Sequence, residues 1–273
     1  MHARPPWILT VVTLVVMAKF YGHELVLGQV NLLLAAVLLA AVHLLGRGRD
    51  VPAGLLVALA VVIKPYAVIV VPWLAAKRSV RALLAAACGL GAALAIPALI
   101  YGVRGAAALH LDWWRTVTGS TAPNLLNPDN VSLAAMYAKW IGIGFQAAAL
   151  TAGTSLLLLA VAAVVVALRQ RVAAPDGLEA AVLLTLMPLL SPQGWDYVFL
   201  IATPAVIYLV NFDRRLPNGL RAITWVALAV VGFSLYDVMG RAAYSRFMSW
   251  SVISVCFLVV VASLSWLRIG RIA

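Results

Sequence analysis

Apolar runs at roughly 7–21, 30–45, 51–63, 65–76, 82–102, 145–168, 178–190, 195–211, 221–238 and 249–267 follow one another along the chain, with short polar joints between them. They are rich in Ala, Leu and Val and lack the alternation of a half-buried strand. Each therefore predicts a helix, not a strand of an outer-membrane barrel. Several are well short of the ~20 residues needed to cross a bilayer. The stretch 51–76 has Arg47 and Arg49 before it, Lys77, Arg78 and Arg81 after it, and Lys64-Pro65 in its middle. It is too long for one straight span and too short for two. Proline removes a backbone donor, so the pattern predicts two short helices meeting at Lys64-Pro65. The stretch 178–211 repeats the arrangement, with Arg169 and Arg171 before it, Arg214 and Arg215 after it, and a break from Ser191-Pro192 to Asp196. Broken helices persist in lipid where they line a cavity, and their ends commonly bind substrates. The expected architecture is an all-α, polytopic integral membrane protein. It forms a single transmembrane domain over residues 1–273, with about ten hydrophobic segments, several of them short or re-entrant, and one long connection at about 103–144.

Composition agrees with this and removes other classes. Hydrophobic residues make up 64% of the chain, charged residues 11%, and the mean hydropathy is +1.03. A soluble domain carries about 25% charged residues. The net charge of +11 does not indicate a nucleic-acid partner, because the basic residues fall in short clusters between apolar runs. Cys88 and Cys256 both lie in apolar runs and have no disulfide or metal spacing. No cluster of His, Asp and Glu has metal-ligand spacing, and no cofactor motif is present. Arg4 precedes an apolar stretch, but Lys19-Phe20-Tyr21 is not a small-residue cleavage site, so this stretch reads as a first span.

The basic clusters also set an orientation. With the amino terminus in the cytoplasm, thirteen Lys and Arg residues face inward: Arg4, Arg47, Arg49, Lys77, Arg78, Arg81, Arg169, Arg171, Arg214, Arg215, Arg221, Arg268 and Arg271. Five face outward: Arg104, Arg115, Lys139, Arg241 and Arg246. Lys19 and Lys64 lie within or at the ends of segments. This asymmetry is the positive-inside pattern, and it makes the connection 103–144 extracytoplasmic. Glu24, Asp112, Asp129, Asp196 and Asp237 are then the only acids on the outer side.

The same orientation gathers four polar clusters on the outer face: 22–31, 64–66, 112–115 with 127–132, and 191–196. Gly28-Gln29-Val30-Asn31 opens the second segment. Its two amides either cap that helix or bond to sugar or phosphate oxygens, and His23 with Glu24 just before it is either an acid/base pair or a solvated turn. Lys64 either snorkels to the interface or binds an anion at a helix break, where Pro65 is an ordinary first helical position. Asp112-Trp113-Trp114-Arg115 is either an interfacial aromatic belt with a salt bridge or a sugar-stacking surface. Asn130-Val131-Ser132 matches a glycosylation sequon, which the bacterial look of an Arg- and Ala-rich chain discounts. Trp195-Asp196 is either a helix cap or a carboxylate at membrane depth suited to general-base work.

Taken together, these clusters resemble a known group. Gly28-Gln29-Val30-Asn31, Ala53-Gly54 through Ile63-Lys64-Pro65, Lys77-Arg78, Asp112-Trp113-Trp114, Asn130-Val131-Ser132-Leu133, and Leu190-Ser191-Pro192 with Trp195-Asp196 are similar to the bacterial multi-span glycosyltransferases of the GT-C type. Within that type, the similarity is to the polyprenyl-phosphate-mannose-dependent enzymes related to those that build phosphatidylinositol mannosides. It covers residues 22 to 211. It implies a GT-C-like fold, a polyprenyl-phosphate sugar donor, a lipid or glycan acceptor, and transfer on the extracytoplasmic face of the bacterial inner membrane. Two departures stand out. Such enzymes usually carry the catalytic acid in a first outer loop well upstream of the Gly-Gln-Val-Asn motif, whereas here only 27 residues precede Gly28 and Glu24 is their one acid. The chain is therefore expected to be the carboxy-terminal part of a longer architecture. Relatives also often place His after Trp-Asp, where this chain has Tyr197.

The sequence is thus expected to encode a hexosyltransferase, with mannose as the expected sugar. Asp196 is the expected base and Glu24 the reserve. Lys64 and Arg115 are expected to hold the phosphate, with Gln29, Asn31, Trp114, Asn130 and Trp195 lining the substrate site. A transporter or lipid flippase, built on the same paired short helices, is the alternative, along with an inactive family remnant.

Overall fold

A computed structural model describes residues 4–172 and 174–270 of the chain. Arg271, counted above among the inner basic residues, lies outside the described residues, and so does the side chain of Arg171. The helices are α1 Pro6–Val26, α2 Asn31–Gly46, α3 Asp50–Ile63, α4 Val70–Ala76, α5 Val80–Asn124, α6 Leu133–Ile141, α7 Phe145–Ala167, α8 Asp176–Leu190, α9 Thr203–Phe212, α10 Asn218–Phe233, α11 Tyr236–Ser249 and α12 Val252–Ile269. Short 3₁₀ helices precede α4 (Pro65–Ile69) and α9 (Asp196–Ala202). No strand is formed among the described residues. Five helical stretches are long and apolar enough to cross a membrane, or six if α10 and α11, bent by 106° at their junction, make one span. The chain is an all-α polytopic membrane protein.

Both predicted breaks are present. α3 stops at Ile63, Lys64 is extended (φ −144°, ψ 111°), and a new helix starts at Pro65. α8 stops at Leu190, and the next helical turn starts at Asp196. Two features depart from the hydropathy reading. The run 221–238 is cut at Phe233, beyond which α11 turns away. The connection 103–144 is largely helical, through the second part of α5 after a break at Gly102 and through α6. α11 and the second part of α5 carry too many polar residues, and α6 is too short, for an apolar-run criterion to find them; α11, for example, contains Asp237, Arg241, Arg246 and four Ser or Tyr hydroxyls.

Contacts divide the chain into two compact units, residues 1–32 with 126–273, and residues 33–125. In the second unit α3 lies along the first part of α5, and its buried face is Ala53, Gly54, Val57, Ala58 and Ala60. Small side chains let helix backbones approach closely where lipid removes the hydrophobic drive for association.

In the first unit α1 packs against residues 196–202, α9 and α10, and α12 packs against α7, α8, α9 and α10. The centre is aromatic. Phe199 and Phe257 stack with ring centres 3.9 Å apart, and Phe20 lies 6.0 and 5.8 Å from them. α8 is buried almost all round, from Leu178 to Leu189. This unit has two polar ends. At one, Arg4 grips Asp213 at 2.7 and 2.8 Å, Trp225 donates to the same carboxylate, Arg169 pairs with Asp176 at 2.7 Å, and Arg268 lies 3.6 Å from Glu179. At the other end lie the last turn of α1, the start of the 196–202 helix, the loop before α6 and the α11–α12 junction. The candidate site is at this second end.

Candidate active site

Helix α1 delivers two charged groups to this end. Lys19 and His23 are four residues apart, hence on one helix face. α1 then ends in a glycine stop. Gly28 has φ +59°, the Leu27 N–H donates to the His23 carbonyl, and the Gln29 N–H donates back to the Glu24 carbonyl at 3.1 Å. This is the six-to-one bond of a left-handed helix cap, a conformation that glycine adopts without steric cost. The turn brings Glu24 over the start of α2. One Glu24 oxygen accepts from the Asn31 side-chain amide at 2.9 Å and the other from the Leu32 N–H at 3.0 Å. Glu24 is 3% exposed. Both oxygens are used in closing a helix start whose free N–H groups favour a negative charge.

The turn 191–196 supplies the partner carboxylate. Asp196 is 1% exposed. Its Oδ2 accepts from His23 Nδ1 at 3.0 Å and lies 3.3 Å from Lys19 Nζ, while its Oδ1 accepts from the Tyr197 N–H at 2.7 Å. Lys19, 2% exposed, also lies 3.5 Å from Met248 Sδ and 4.7 Å from the centre of the Tyr244 ring. A carboxylate held between an ammonium and the Nδ1 side of an imidazole fixes the tautomer and orientation of that ring. The far nitrogen of His23 then faces a side that is open, the side chain being 36% exposed.

A second loop supports the turn. Asn130 and Trp195 form an antiparallel bridge flanked by two backbone bonds, Asp196 N–H to Asp129 carbonyl at 3.0 Å and Val131 N–H to Gly194 carbonyl at 2.7 Å. Asn130 is fully buried. Its amide donates to the Pro192 carbonyl at 3.0 Å and its oxygen accepts from the Ser132 N–H at 3.1 Å. Ser132 caps α6 by accepting from the Ala135 N–H at 3.1 Å, and Ser254 donates to the Val131 carbonyl at 2.7 Å. A Cβ on Gly194 would run into the Pro188 carbonyl and stand 3.1 Å from the Ser132 Cβ. Gly194→Ala is therefore expected to push the two loops apart and cost about 1–3 kcal/mol of stability, measured as a lower thermal unfolding midpoint in detergent.

Lys139, on α6, ties the loop down. Its Nζ donates to the carbonyls of Pro128 at 2.9 Å, Asn130 at 2.6 Å and Met248 at 3.4 Å. Burial pushes its ammonium down to about 8, against the pull of Asp129 and Asp196. Asp129 sits between the two carbonyls closest to Lys139. The residue as a whole is exposed, yet the surrounding protein withdraws its carboxyl partly from water. That withdrawal, and then the charge of Asp196, raise it above the usual carboxylate range, while His23, Lys19 and Lys139 pull it back down. Behind Lys139 a cavity of about 460 Å³ is lined by Lys139, Trp140, Ser249, Trp250, Val252 and Val255.

The sequence-predicted residues are therefore distributed as follows. Asp196, Trp195, Asn130, Glu24, Asn31 and Gln29 all belong to the first unit. Asn130 and Trp195 meet directly, and Glu24 and Asn31 meet directly. Lys64, Trp114 and Arg115 belong to the second unit. There Lys64 is half-buried at its helix break. Arg115 is 3.3 Å from Asp112 on an exposed helix surface, and Trp114 is 59% exposed beside Trp113. Sequence reading did not assign Lys19, and it weighed His23 only as a partner of Glu24. The signal was the i,i+4 pair of basic residues in the last turns of an otherwise apolar helix.

Comparison with curated proteins and with solved structures returned no match. The model of glycosyltransferase family 87 matches residues 1–192. That stretch includes α1 with Lys19 and His23, the Asp129–Ser132 loop, and all of α8, and it stops inside the turn that carries Asp196. Because the match covers 192 of 273 residues and lies on an all-α polytopic membrane fold, the chain belongs to glycosyltransferase family 87, a family of membrane glycosyltransferases.

Proposed function

We propose that this glycosyltransferase takes a hexose, mannose in the first instance, from a polyprenyl-phosphate donor and transfers it to a hydroxyl of a lipid or glycan acceptor on the extracytoplasmic face of the bacterial inner membrane. The reading is supported by the His23–Asp196–Lys19 arrangement, with His23 Nδ1 3.0 Å from a buried carboxylate that Lys19 neutralises. In the proposed step the acceptor O–H gives its proton to His23 Nε2, and the oxygen forms a bond to the anomeric carbon. The bond from that carbon to the phosphate oxygen breaks, and polyprenyl phosphate departs with the electron pair. One displacement inverts the anomeric configuration. Asp196 stabilises the imidazolium that forms, so it acts through His23. Glu24, whose two oxygens close the start of α2, positions the turn after α1.

The assignment of the face is supported by the two polar ends of the first unit. Arg4, Arg169, Arg214, Arg215 and Arg268 lie at the end away from the site, which matches the inner side of the charge-based topology. Lys64, with Arg115, is proposed to bind the donor phosphate, from the placement of Lys64 at a helix break whose following N–H groups favour anions. Gln29, Asn31, Asn130 and Trp195 are proposed to shape or support the substrate site around His23, and Trp114 is proposed as a sugar-stacking surface.

The test is donor turnover. Protein reconstituted in liposomes is given radiolabelled polyprenyl-phosphate mannose and, separately, the glucose-bearing carrier, together with membrane lipid extract. Label moving from the carrier to a new lipid or glycan product supports the reading, and preference between the two carriers names the sugar. No consumption of either carrier sinks it. In the same assay Lys64→Ala is expected to raise the donor KM about tenfold or more while leaving membrane insertion intact. An unchanged donor KM removes Lys64 from the site.

A further inference from the structure

Asp129 is held more firmly than an ordinary surface residue. Its N–H donates to the Asn127 side chain at 2.9 Å, its carbonyl accepts from the Asp196 N–H, and Lys139 grips the carbonyls on either side of it. Its carboxylate, by contrast, makes no hydrogen bond or ion pair among the described residues, and the residue as a whole is exposed. The bridge geometry places Asp129 directly opposite Asp196. Residues opposed across an antiparallel pair point to the same side, and like charges there repel. A loop built only to support the turn is better served by a neutral residue at this position. Asp196 is buried and saturated, so Asp129 is the carboxylate of the pair that remains open, on the side where Asp196 meets His23. His23 Nε2 likewise makes no hydrogen bond among the described residues.

Resting on the glycosyltransferase reading, we infer that the Asp129 carboxylate and His23 Nε2 together form the acceptor subsite, each accepting from one of two neighbouring hydroxyls of a polyhydroxylated acceptor. His23 takes the hydroxyl that reacts, and Asp129 orients its neighbour. The subsite thereby selects a vicinal diol, such as a sugar or cyclitol, over a lone alcohol or water. Asp129 is a positioning and specificity residue, and the proton of the reacting hydroxyl goes to His23. The charge fields of His23 and Lys19 both reach Asp129, as this shared side requires.

The experiment uses the full chain in liposomes with polyprenyl-phosphate mannose. Octyl mannoside is the acceptor, compared with its 2-deoxy and 3-deoxy analogues. Release of free mannose to water is measured in parallel. The wild type is expected to prefer the intact diol by about 10- to 100-fold in kcat/KM, the value of a hydrogen bond to a charged group. Asp129→Ala is expected to raise the acceptor KM by about the same factor, to erase the preference, and to raise release of mannose to water relative to transfer. Asp129→Asn keeps one accepting oxygen and is expected to fall between the two, which carries the test should the alanine variant not fold. A diol preference that survives in both variants overturns the inference. So does a fall in kcat at unchanged acceptor KM, which would make Asp129 the reacting base. A wild type without diol preference overturns it as well. If the wild type consumes no donor at all, the glycosyltransferase reading fails instead.

Discussion

Asp196→Asn is expected to lower transfer by about 10³- to 10⁴-fold per folded molecule, the loss that follows when an orienting carboxylate beneath a catalytic imidazole becomes an amide. The argument is geometric. Asp196 Oδ2 is the atom that fixes His23 Nδ1 at 3.0 Å. An ionised carboxylate only accepts, so it forces the proton onto Nδ1 and leaves Nε2 as the base. An amide at 196 can present its NH₂ to Nδ1, which stabilises the opposite tautomer and puts a proton where the base should be. The measurement is single-turnover transfer from polyprenyl-phosphate mannose, normalised to protein that melts cooperatively in detergent. His23→Gln is expected to show a loss of similar size, because it removes the base itself. Retention of more than about a tenth of wild-type activity in Asp196→Asn takes the chemistry away from this dyad. Two losses of the same size that do not add in the double variant mark the residues as one working unit.

Much of the architecture was written in local pattern. A proline after Lys64 and the Ser-Pro turn before Asp196 broke two apolar stretches where the chain does break, because proline's missing donor acts within its own turn. Two of the polar clusters, 127–132 and 191–196, prove to be a single assembly through the Asn130–Trp195 bridge. The charge pattern led to the expectation that both lie on the outer side but could not join them, since the bridged residues are far apart in the chain and the pairing rests on backbone bonds that any residue can make. The amphipathic helix α11 was invisible to an apolar-run criterion, although Tyr244, Phe247 and Met248 on it surround the Lys19 ammonium. Glu24, expected as the reserve base, has both carboxylate oxygens bonded at a helix start. Its two bonds go to Asn31 and Leu32, a short-range arrangement that needed only the sharp turn at Gly28. The pair proposed to carry the chemistry is the long-range one. His23 and Asp196 are separated by 173 residues, and nothing local to either announces the other. What was available locally was the spacing of Lys19 and His23 on one face of α1, with a lysine in an apolar helix needing an explanation.

That lysine carries the second large effect. Lys19→Met is expected to destabilise the protein by about 3–5 kcal/mol, the cost of removing one partner of a buried ion pair. Lys19 and Asp196 have side chains 1% and 2% exposed at a separation of 3.3 Å. Methionine fills a similar volume and can keep contact with Met248 and the aromatic rings of α11, so the packing term is small. The penalty is the carboxylate left in apolar surroundings with only the imidazole beside it. The double variant Lys19→Met with Asp196→Asn separates this from a packing defect. With neither charge present, no uncompensated ion remains, and the unfolding midpoint in detergent is expected to return most of the way to wild type. Transfer is expected to stay lost in the double variant, since the orienting carboxylate is gone. A Lys19→Met variant as stable as wild type places the ammonium outside the pair. A double variant no more stable than Lys19→Met makes the lysine a packing residue. Recovery of stability without recovery of activity assigns the lysine to holding a charged carboxylate at the site end of α1, where a fold built for stability alone would have placed an apolar contact.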